Sequence, residues 1–346
     1  MKTVKSRAYK DRLKGHKETI LSLFSPDGPL GNILVSASAD GIIRGWDLIG
    51  RSVRFKIQIE KPESKQDITS YHFSGSNLYV GFSEGEIRIF EMLNAKLLSV
   101  MRGHEKAITS LQIYDNKLIS ASLDSTVRVW NPKTAECDLI YQFSDPISDI
   151  KILKNTLILA SWDKMLRVLD LQENTLKETI QALDQPIKCI DIYEGIIYVG
   201  GCDSVIKAWD LENNSCKEYK GHSSWILGMK NHGDHMYSCS DDRKIRVWDR
   251  NTQKCVEEFE GHEDGVTCLE FANGTLYSGS FDHSIRSWDL AEMYKRIQER
   301  QYMTREDILT RKIETYFRLL SAKKKGKKGK KGKGKGKGKG KKGKKK

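Results

Sequence analysis

The chain repeats one pattern seven times, with a period of about 40 residues. Each repeat closes on an aromatic or apolar residue, and successive closing residues are 44, 40, 39, 40, 39 and 40 positions apart. An acidic residue lies six positions before each of them, a branched apolar residue three before and a cation two before. The closing residues are Trp46, Phe90, Trp130, Leu169, Trp209, Trp248 and Trp288. Four matched positions in seven copies identify a repeat protein, in which each copy is one structural unit.

Each repeat contains about four strand-length runs separated by turn residues, which is typical of a small antiparallel sheet. Such a sheet cannot bury its faces alone, so neighbouring repeats must stack. The Gly-His pair that opens several repeats and the closing Trp-Asp pair, such as Trp248-Asp249, resemble the WD-repeat (WD40) family of β-propellers. The resemblance covers about residues 6–289 and implies an all-β, seven-bladed β-propeller within residues 1–289. Family members usually complete the last blade with an N-terminal strand, for which residues 6–13 are the candidate here.

The resemblance also implies buried hydrogen-bonded chains of histidine, serine, aspartate and tryptophan in four repeats. The matching residues are His16, Asp40 and Trp46; His104, Asp124 and Trp130; His222, Asp242 and Trp248; and His262, Asp282 and Trp288, with Ser36, Ser120, Ser238 and Ser278 as the serines. Ser, His and Asp also form catalytic triads. Four copies around a ring, each ending on an indole donor, indicate structural networks instead. We therefore predict no catalytic residues and no enzymatic activity.

Two tryptophans, Trp162 and Trp225, lie outside the closing positions of the repeats. In the WD-repeat family both positions lie on the top face, around the mouth of the central channel, where partners commonly dock. Equivalent positions in other repeats are held by Leu123, Phe281 and Asp241. Together they predict an apolar rim that binds a protein or peptide partner. In the alternative, one or both indoles fold down and plug the channel.

The net charge of +13 comes from the C-terminal tail. Residues 323–346 hold 16 Lys, 8 Gly and no acid, so residues 1–322 carry a net charge of −3. We predict that residues 322–346 are a disordered Lys/Gly tail. Flexible cations bind polyanions such as RNA, DNA, acidic protein tails or anionic lipid; the alternative is a tail that only raises solubility. The first lysines of the tail are Lys323, Lys324, Lys325, Lys327, Lys328, Lys330 and Lys331.

Residues 290–321 change to helical spacing and predict a short helical extension. One helix is expected over 290–302 and a second over 305–321, with one apolar stripe on the second. This stripe either packs on the propeller or on itself, or it docks a partner or a second copy of the chain. Its members are Ile308, Leu309, Ile313, Tyr316, Phe317 and Leu320.

Several classes of protein are disfavoured by missing signals. The chain contains no run of 18 apolar residues and no apolar signal core, so a soluble, intracellular protein is expected. Its seven cysteines, an odd number without a Cys-x-x-Cys, indicate free thiols. The stretch from His232 to His235 lacks further ligands at suitable spacing and predicts a polar hairpin rather than a metal site. No nucleotide-binding or nucleophile motif is present, so no cofactor and no metal are expected.

The combined expectation is a non-enzymatic scaffold, with a partner site on the top face and a tail that binds a polyanion. Its most concrete form is a component of a nuclear or nucleolar ribonucleoprotein assembly, such as one in ribosome maturation. A substrate-recruiting adaptor of a ubiquitin ligase or signalling complex is one alternative, and a cytoskeletal or ciliary adaptor is another. The expected location is accordingly the cytoplasm or the nucleus, including the nucleolus.

Overall fold

The computed structural model describes residues 9–26, 32–59, 67–91 and 96–302, together with the single positions 310, 313 and 316. Within these residues the chain forms 28 strands, which pair into seven four-stranded antiparallel sheets, followed by one helix of 13 residues. The predicted all-β, seven-bladed propeller is confirmed. We number the sheets as blades 1 to 7 in chain order.

Blades 1 to 6 each use four consecutive strands. Blades 1 to 3 consist of β2 (Ile20–Phe24), β3 (Ile33–Ser38), β4 (Ile42–Asp47) and β5 (Ser52–Gln58); β6 (Ile68–Ser74), β7 (Asn77–Phe82), β8 (Ile87–Glu91) and β9 (Lys96–Met101); and β10 (Ile108–Tyr114), β11 (Lys117–Ser122), β12 (Thr126–Trp130) and β13 (Cys137–Gln142). Blades 4 to 6 consist of β14 (Ile147–Leu153), β15 (Thr156–Ser161), β16 (Met165–Asp170) and β17 (Thr175–Gln181); β18 (Ile187–Tyr193), β19 (Ile196–Gly201), β20 (Val205–Asp210) and β21 (Ser215–Lys220); and β22 (Ile226–His232), β23 (His235–Ser240), β24 (Lys244–Asp249) and β25 (Cys255–Glu260).

Blade 7 is built from both ends of the described propeller. It contains β26 (Val266–Ala272), β27 (Thr275–Ser280), β28 (Ile285–Asp289) and, as its outer strand, β1 (Tyr9–Leu13). β1 pairs antiparallel with β28, and Leu13 lies opposite Ile285. Next to this pairing, the Thr267 hydroxyl donates a 2.5 Å hydrogen bond to the Ile20 carbonyl of blade 1. Residues 6–8 of the predicted closing strand lie outside the described residues.

The second strand of each blade is buried on both faces because it lies between two neighbouring blades. All six residues of β3 and of β27 are buried, including Ser36 and Ser278. Outer strands are far more exposed; β17 has one half-buried residue and six exposed ones. The core is therefore a set of apolar layers between blades, and each layer needs both of its blades.

The first strand of every blade carries a bulge directly after its first residue. That first residue is a buried Ile or Val in all seven blades, and the register with the second strand shifts immediately after it. A bulge leaves one residue out of the ladder and changes the direction of its side chain. The bulged residues are Leu21, Thr69, Thr109, Ser148, Lys188, Leu227 and Thr267.

Four blades contain a complete hydrogen-bonded chain of His, Ser, Asp and Trp. In blade 6 the Trp248 indole donates to the Ser238 hydroxyl at 2.8 Å, His222 Nε2 lies 2.7 Å from that hydroxyl, and His222 Nδ1 lies 2.7 Å from Asp242. One tautomer satisfies every atom, with Nδ1–H donating to Asp242 and Nε2 accepting from Ser238. Blades 1, 3 and 7 repeat these contacts, which involve His16, Ser36, Asp40 and Trp46; His104, Ser120, Asp124 and Trp130; and His262, Ser278, Asp282 and Trp288.

Blade 5 keeps the tryptophan without the chain. Val199 pairs with Lys207 at the position where Ser238 pairs with Arg246 in blade 6, so no hydroxyl faces the Trp209 indole. Within the described residues, the buried Trp209 Nε1–H has no hydrogen-bond partner. A buried donor without a partner lowers the free energy of unfolding. Blade 5 also lacks the hydrogen-bonded chain that blade 6 has.

The chain leaves the propeller through a helix, α1 (Leu290–Tyr302). Its first turn is capped by Asp289, whose side chain accepts a 3.2 Å hydrogen bond from the Glu292 amide. Leu290 and Met293 are buried. In the predicted second helix, Thr310, Ile313 and Tyr316 are helical. The remaining positions of 305–321, and all of 322–346, lie outside the described residues.

Replacing Trp248 or Trp209 by Phe keeps an aromatic ring at the position but removes the indole N–H donor. We expect Trp248→Phe to lower the free energy of unfolding by about 1–3 kcal/mol more than Trp209→Phe does, because only the first breaks a buried hydrogen bond. Denaturant unfolding of both full-length variants measures the difference. Equal losses would contradict the proposed stabilising role of the chain.

Candidate functional site

Two loops of every blade meet at the end of the propeller where the first strands begin, which we call the top face. In each blade, the acidic residue six positions before the closing residue lies in the turn after the second strand. The residue just before this acid donates its backbone N–H to the carbonyl of the residue just before the first strand, at 2.8–3.0 Å. These bonds place the predicted rim residues on one ring around the channel mouth. The donor and acceptor pairs are Ala39 and Thr19, Ser83 and Asp67, Leu123 and Ala107, Trp162 and Pro146, Cys202 and Pro186, Asp241 and Trp225, and Phe281 and Gly265.

The two extra tryptophans flank a single lysine. The Lys188 ammonium nitrogen lies 4.9 Å from the ring centre of Trp162 and 5.1 Å from that of Trp225. Both distances lie within the range of cation–π attraction. The two side chains are 39% and 48% exposed, so both indoles remain open to solvent while they hold the cation. We call Trp162 and Trp225 the indole cage.

Lys188 reaches the cage because it is the bulged residue of β18 in blade 5. The bulge releases it from the ladder between β18 and β19, whose register shifts between Ile187 and Cys189. The sequence reasoning did not single out Lys188. A signal was available, since the other six bulged residues are Leu, Thr or Ser and Lys188 is the one cation among the seven.

Asp241 and Phe281 extend this rim from blade 6 to blade 7. A β-carbon added at Gly265 would lie 2.9 Å from an Asp241 carboxylate oxygen and 3.0 Å from the Phe281 ring. Both side chains therefore close over Gly265, which leaves no room for a side chain there. Ser224 donates to Asp241 at 2.9 Å and orients it. Leu123 holds the equivalent ring position in blade 3.

The top face of blades 4 to 7 is acidic. Its eight loops lie between strands β13 and β28 and are all described. They carry nine carboxylates and two cationic side chains, Lys164 and Arg243. Five of these carboxylates already have partners: Asp163 pairs with Arg167, Asp184 with Lys207, Glu263 with Arg12 and Arg286, and the buried side chains of Asp242 and Asp282 contact His222 and His262. The other four leave a smaller excess of negative charge, which attracts cations. The carboxylates are Asp145, Asp163, Asp184, Asp203, Asp241, Asp242, Glu263, Asp264 and Asp282.

Below the rim, the channel has a volume of about 510 Å³, and its lining includes the charged residues Lys151, Lys230 and Glu270. Lys151, Asp191, Lys230 and Glu270 occupy the same strand position in blades 4 to 7. Lys230 pairs with Glu270 at 3.0 Å. Burial raises the pKa of Asp191, although Asn231 donates to it at 2.9 Å. The negative charge of Asp149 raises the pKa of Lys151.

The His-Ser-Asp-Trp chains do not form exposed reactive sites. Ser120 is fully buried, and its hydroxyl contacts both the Trp130 indole and His104, so no face is left for a substrate. Burial lowers the pKa of His104 despite the opposing effect of Asp124. Burial alone would raise the pKa of Asp40, but hydrogen bonds from His16 and from backbone amides lower it to about 2. In blade 3, burial therefore favours the neutral imidazole of His104 beside the Asp124 carboxylate.

The described residues contain few features of other site types. No group of three or more His, Cys, Asp or Glu among them could hold a metal ion. His232 and His235 flank a two-residue turn between β22 and β23, and the His232 ring stacks on Phe271 at 4.6 Å. No helix in the described ranges is long and apolar enough to cross a bilayer. The predicted polyanion-binding lysines, Lys323 to Lys331, lie outside these ranges.

The sequence matches a known repeat family in four segments. The model of the WD domain, G-beta repeat, matches residues 8–47, 95–131, 213–249 and 253–289. These segments contain the closing tryptophans of blades 1, 3, 6 and 7, the four blades with a complete His-Ser-Asp-Trp chain. The match therefore follows the same residues that carry the buried networks.

Similar proteins share part of this chain. An uncharacterized WD repeat-containing protein of Schizosaccharomyces pombe is 37% identical over 118 residues, which are 34% of this chain and 31% of that protein. WD repeat-containing protein pop2 of the same organism is 29% identical over 212 residues, 55% and 27% of the two chains. The periodic tryptophan protein 2 homolog of Caenorhabditis elegans is 28% identical over 122 residues, 35% and 13% of the two chains. The matches span less than a third of each of these relatives.

A solved structure shows the same fold. The crystal structure of the computationally designed protein Ika8 superimposes with a TM-score of 0.64 and covers 80% of this chain and 98% of that protein. Sequence identity is 21%, so this likeness concerns the fold alone.

The buried histidines predict that stability falls on acidification. Burial lowers the pKa of His104 and His262 in the folded protein, whereas unfolded histidine has its usual pKa of 6.5. The unfolded state therefore binds more protons, and the stabilisation present above pH 6.5 is lost as the pH falls below it. Denaturant unfolding from pH 7.5 to 5 should show this decline, with a smaller slope in His104→Gln. An identical slope in that variant would refute the role of His104.

Proposed function

Because this chain belongs to the WD-repeat family of β-propellers, we propose that it acts as a non-enzymatic scaffold. Its top face binds a protein or peptide partner, and its Lys/Gly tail binds a polyanion. The observation that carries the proposal is the rim of exposed aromatic side chains, Trp162, Trp225 and Phe281, on an acidic face. A propeller supplies a rigid ring of loops for this purpose, and function resides in those loops rather than in the fold.

The apolar rim supports a protein partner. Exposed aromatic residues around a concave site are common anchors of protein interfaces. Trp162 and Trp225 are held by the backbone hydrogen bonds of the top-face ring, at 3.0 Å each, so they are presented on a fixed frame. A rigid anchor loses little conformational entropy on binding.

The tail supports a polyanionic partner. Sixteen lysines bind nucleic acid through counterion release and without reading sequence. The assembly is proposed from the chain's own chemistry and not from the names of similar proteins. The form we favour is a nuclear or nucleolar ribonucleoprotein assembly, such as one in ribosome maturation, with the propeller holding protein and the tail holding RNA.

Replacing both cage residues tests the rim. We expect full-length protein with Trp162→Ala and Trp225→Ala to lose its protein partners, because the anchors are gone while the blades keep their cores. Purification from native lysate followed by mass spectrometry measures the loss, with circular dichroism to check the fold. Leu98→Ala with Leu176→Ala, at similarly exposed positions on outer strands β9 and β17, is the matched control. Unchanged partners in the Trp variant would refute the rim site.

Truncation tests the tail. We compare RNA bound to the full chain, to a chain ending at Ser321 and to a chain whose last residues are a Gly/Ser tail of equal length, at low and high salt. RNA should be lost on truncation, on replacement and at high salt, since the interaction is electrostatic. Protein partners retained in all three, with no RNA in any, would overturn the ribonucleoprotein role and favour an adaptor that works through the rim alone.

A further inference from the structure

We propose that the indole cage recognises a lysine side chain from a basic segment of the partner, and that Lys188 occupies the cage in the free protein. This inference rests on the proposed top-face site and names the chemistry that the site selects. Lys188 is then an internal substitute for the partner's cation, and partner binding displaces it.

The geometry of the cage fits one ammonium group. Trp162 comes from the turn of blade 4 and Trp225 from the loop of blade 6, and they approach the Lys188 nitrogen at 4.9 and 5.1 Å. Blade 5 lies between them and contributes the lysine. Two aromatic faces about one cation are a recurring arrangement for recognising ammonium groups. The site is therefore built for a cation and already holds one.

The occupant is weakly tied to the rest of the protein. Across the described ranges, the Lys188 ammonium has no hydrogen bond and no carboxylate within ion-pair distance. It contacts the two indole rings, and its charge also acts on the nearby Cys202 thiol. Both rings are also partly exposed. An incoming lysine can therefore replace Lys188 without leaving a buried carboxylate unpaired, and the released lysine returns to water on its own flexible stem.

The charge of the surrounding surface selects the partner. Among the described residues, the loops of blades 4 to 7 hold four carboxylates without an ion-pair partner, Asp145, Asp203, Asp241 and Asp264, against the cations Lys164 and Arg243. This excess of negative charge favours a basic segment over an acidic one. Asp241 lies directly beside this path, since its backbone N–H bonds the Trp225 carbonyl at 3.0 Å. These rim carboxylates would repel an acidic partner segment that approached Lys188.

The bulge offers a substitution that empties the cage. Three other blades carry threonine at the position of Lys188, namely Thr69, Thr109 and Thr267, so β18 should accept Lys188→Thr without loss of fold. An internal competitor raises the apparent Kd of an external ligand by the reciprocal of the fraction of time the site is empty, so removing the competitor restores the intrinsic affinity. Lys164→Asn is the matched control, since it removes one positive charge from the same face outside the cage and suits the left-handed backbone at residue 164.

The test uses full-length protein with ¹⁵N-labelled tryptophan and follows indole N–H shifts by NMR. The probe is Nα-acetyl-lysine amide, compared with the neutral norleucine amide and the acidic glutamate amide. We expect Lys188→Thr to bind the lysine probe at least fivefold more tightly than wild type and Lys164→Asn do. The indole N–H signals that shift on binding should be the two that disappear from the spectra of the Trp162→Leu and Trp225→Leu variants. Adding both Trp substitutions to Lys188→Thr should abolish binding.

Four results would overturn the inference. The first is equal affinity for the probe in wild type and Lys188→Thr, and the second is probe binding that survives loss of both indoles. The third is binding of the glutamate probe that depends on Lys188. The fourth is tighter probe binding after truncation at Ser321 but not after Lys188→Thr. The last would make the chain's own tail the occupant. The test needs no partner, so its failure leaves the rim site standing, whereas retained partners after Trp162→Ala with Trp225→Ala would remove the rim site regardless of the probe.

Discussion

The structure depends on the burial of each blade by its two neighbours. A four-stranded sheet with apolar residues on both faces of its second strand, such as β3 or β27, is stable only between two others. Because every blade needs two neighbours, blade 7 must pack against blade 1. It does so through β1 beside β28 and through the contact from Thr267 to Ile20. Closure also hides the edges that open sheets expose.

Stacked blades leave room for polar groups only where each atom has a partner. The chain from Trp248 through Ser238 and His222 to Asp242 meets this requirement, and three other blades copy it. Blade 5 shows the converse, since Val199 stands at the serine position and Trp209 is left unpaired. The polar networks are thus part of the packing, and their Ser, His and Asp are occupied by one another rather than available for chemistry.

Ring closure also creates the surface from which function is inferred. Loops that are distant in sequence converge on the channel mouth because every first strand begins at the same end. The bulge after the first residue of each strand turns one side chain out of the ladder, and in β18 that residue is Lys188. A feature of local strand geometry therefore delivers a cation between two indoles from other blades.

The repeat by itself determined the propeller, the number of blades and the residues of the buried chains, because these depend on spacing and on residue type at equivalent positions. Trp162, Trp225, Leu123, Phe281 and Asp241 could be assigned to one rim for the same reason. The tertiary structure alone decided which of them meet. It placed Lys188 between the indoles and closed Asp241 and Phe281 over Gly265. Such contacts depend on side-chain direction across neighbouring blades, and a one-dimensional repeat does not encode those distances.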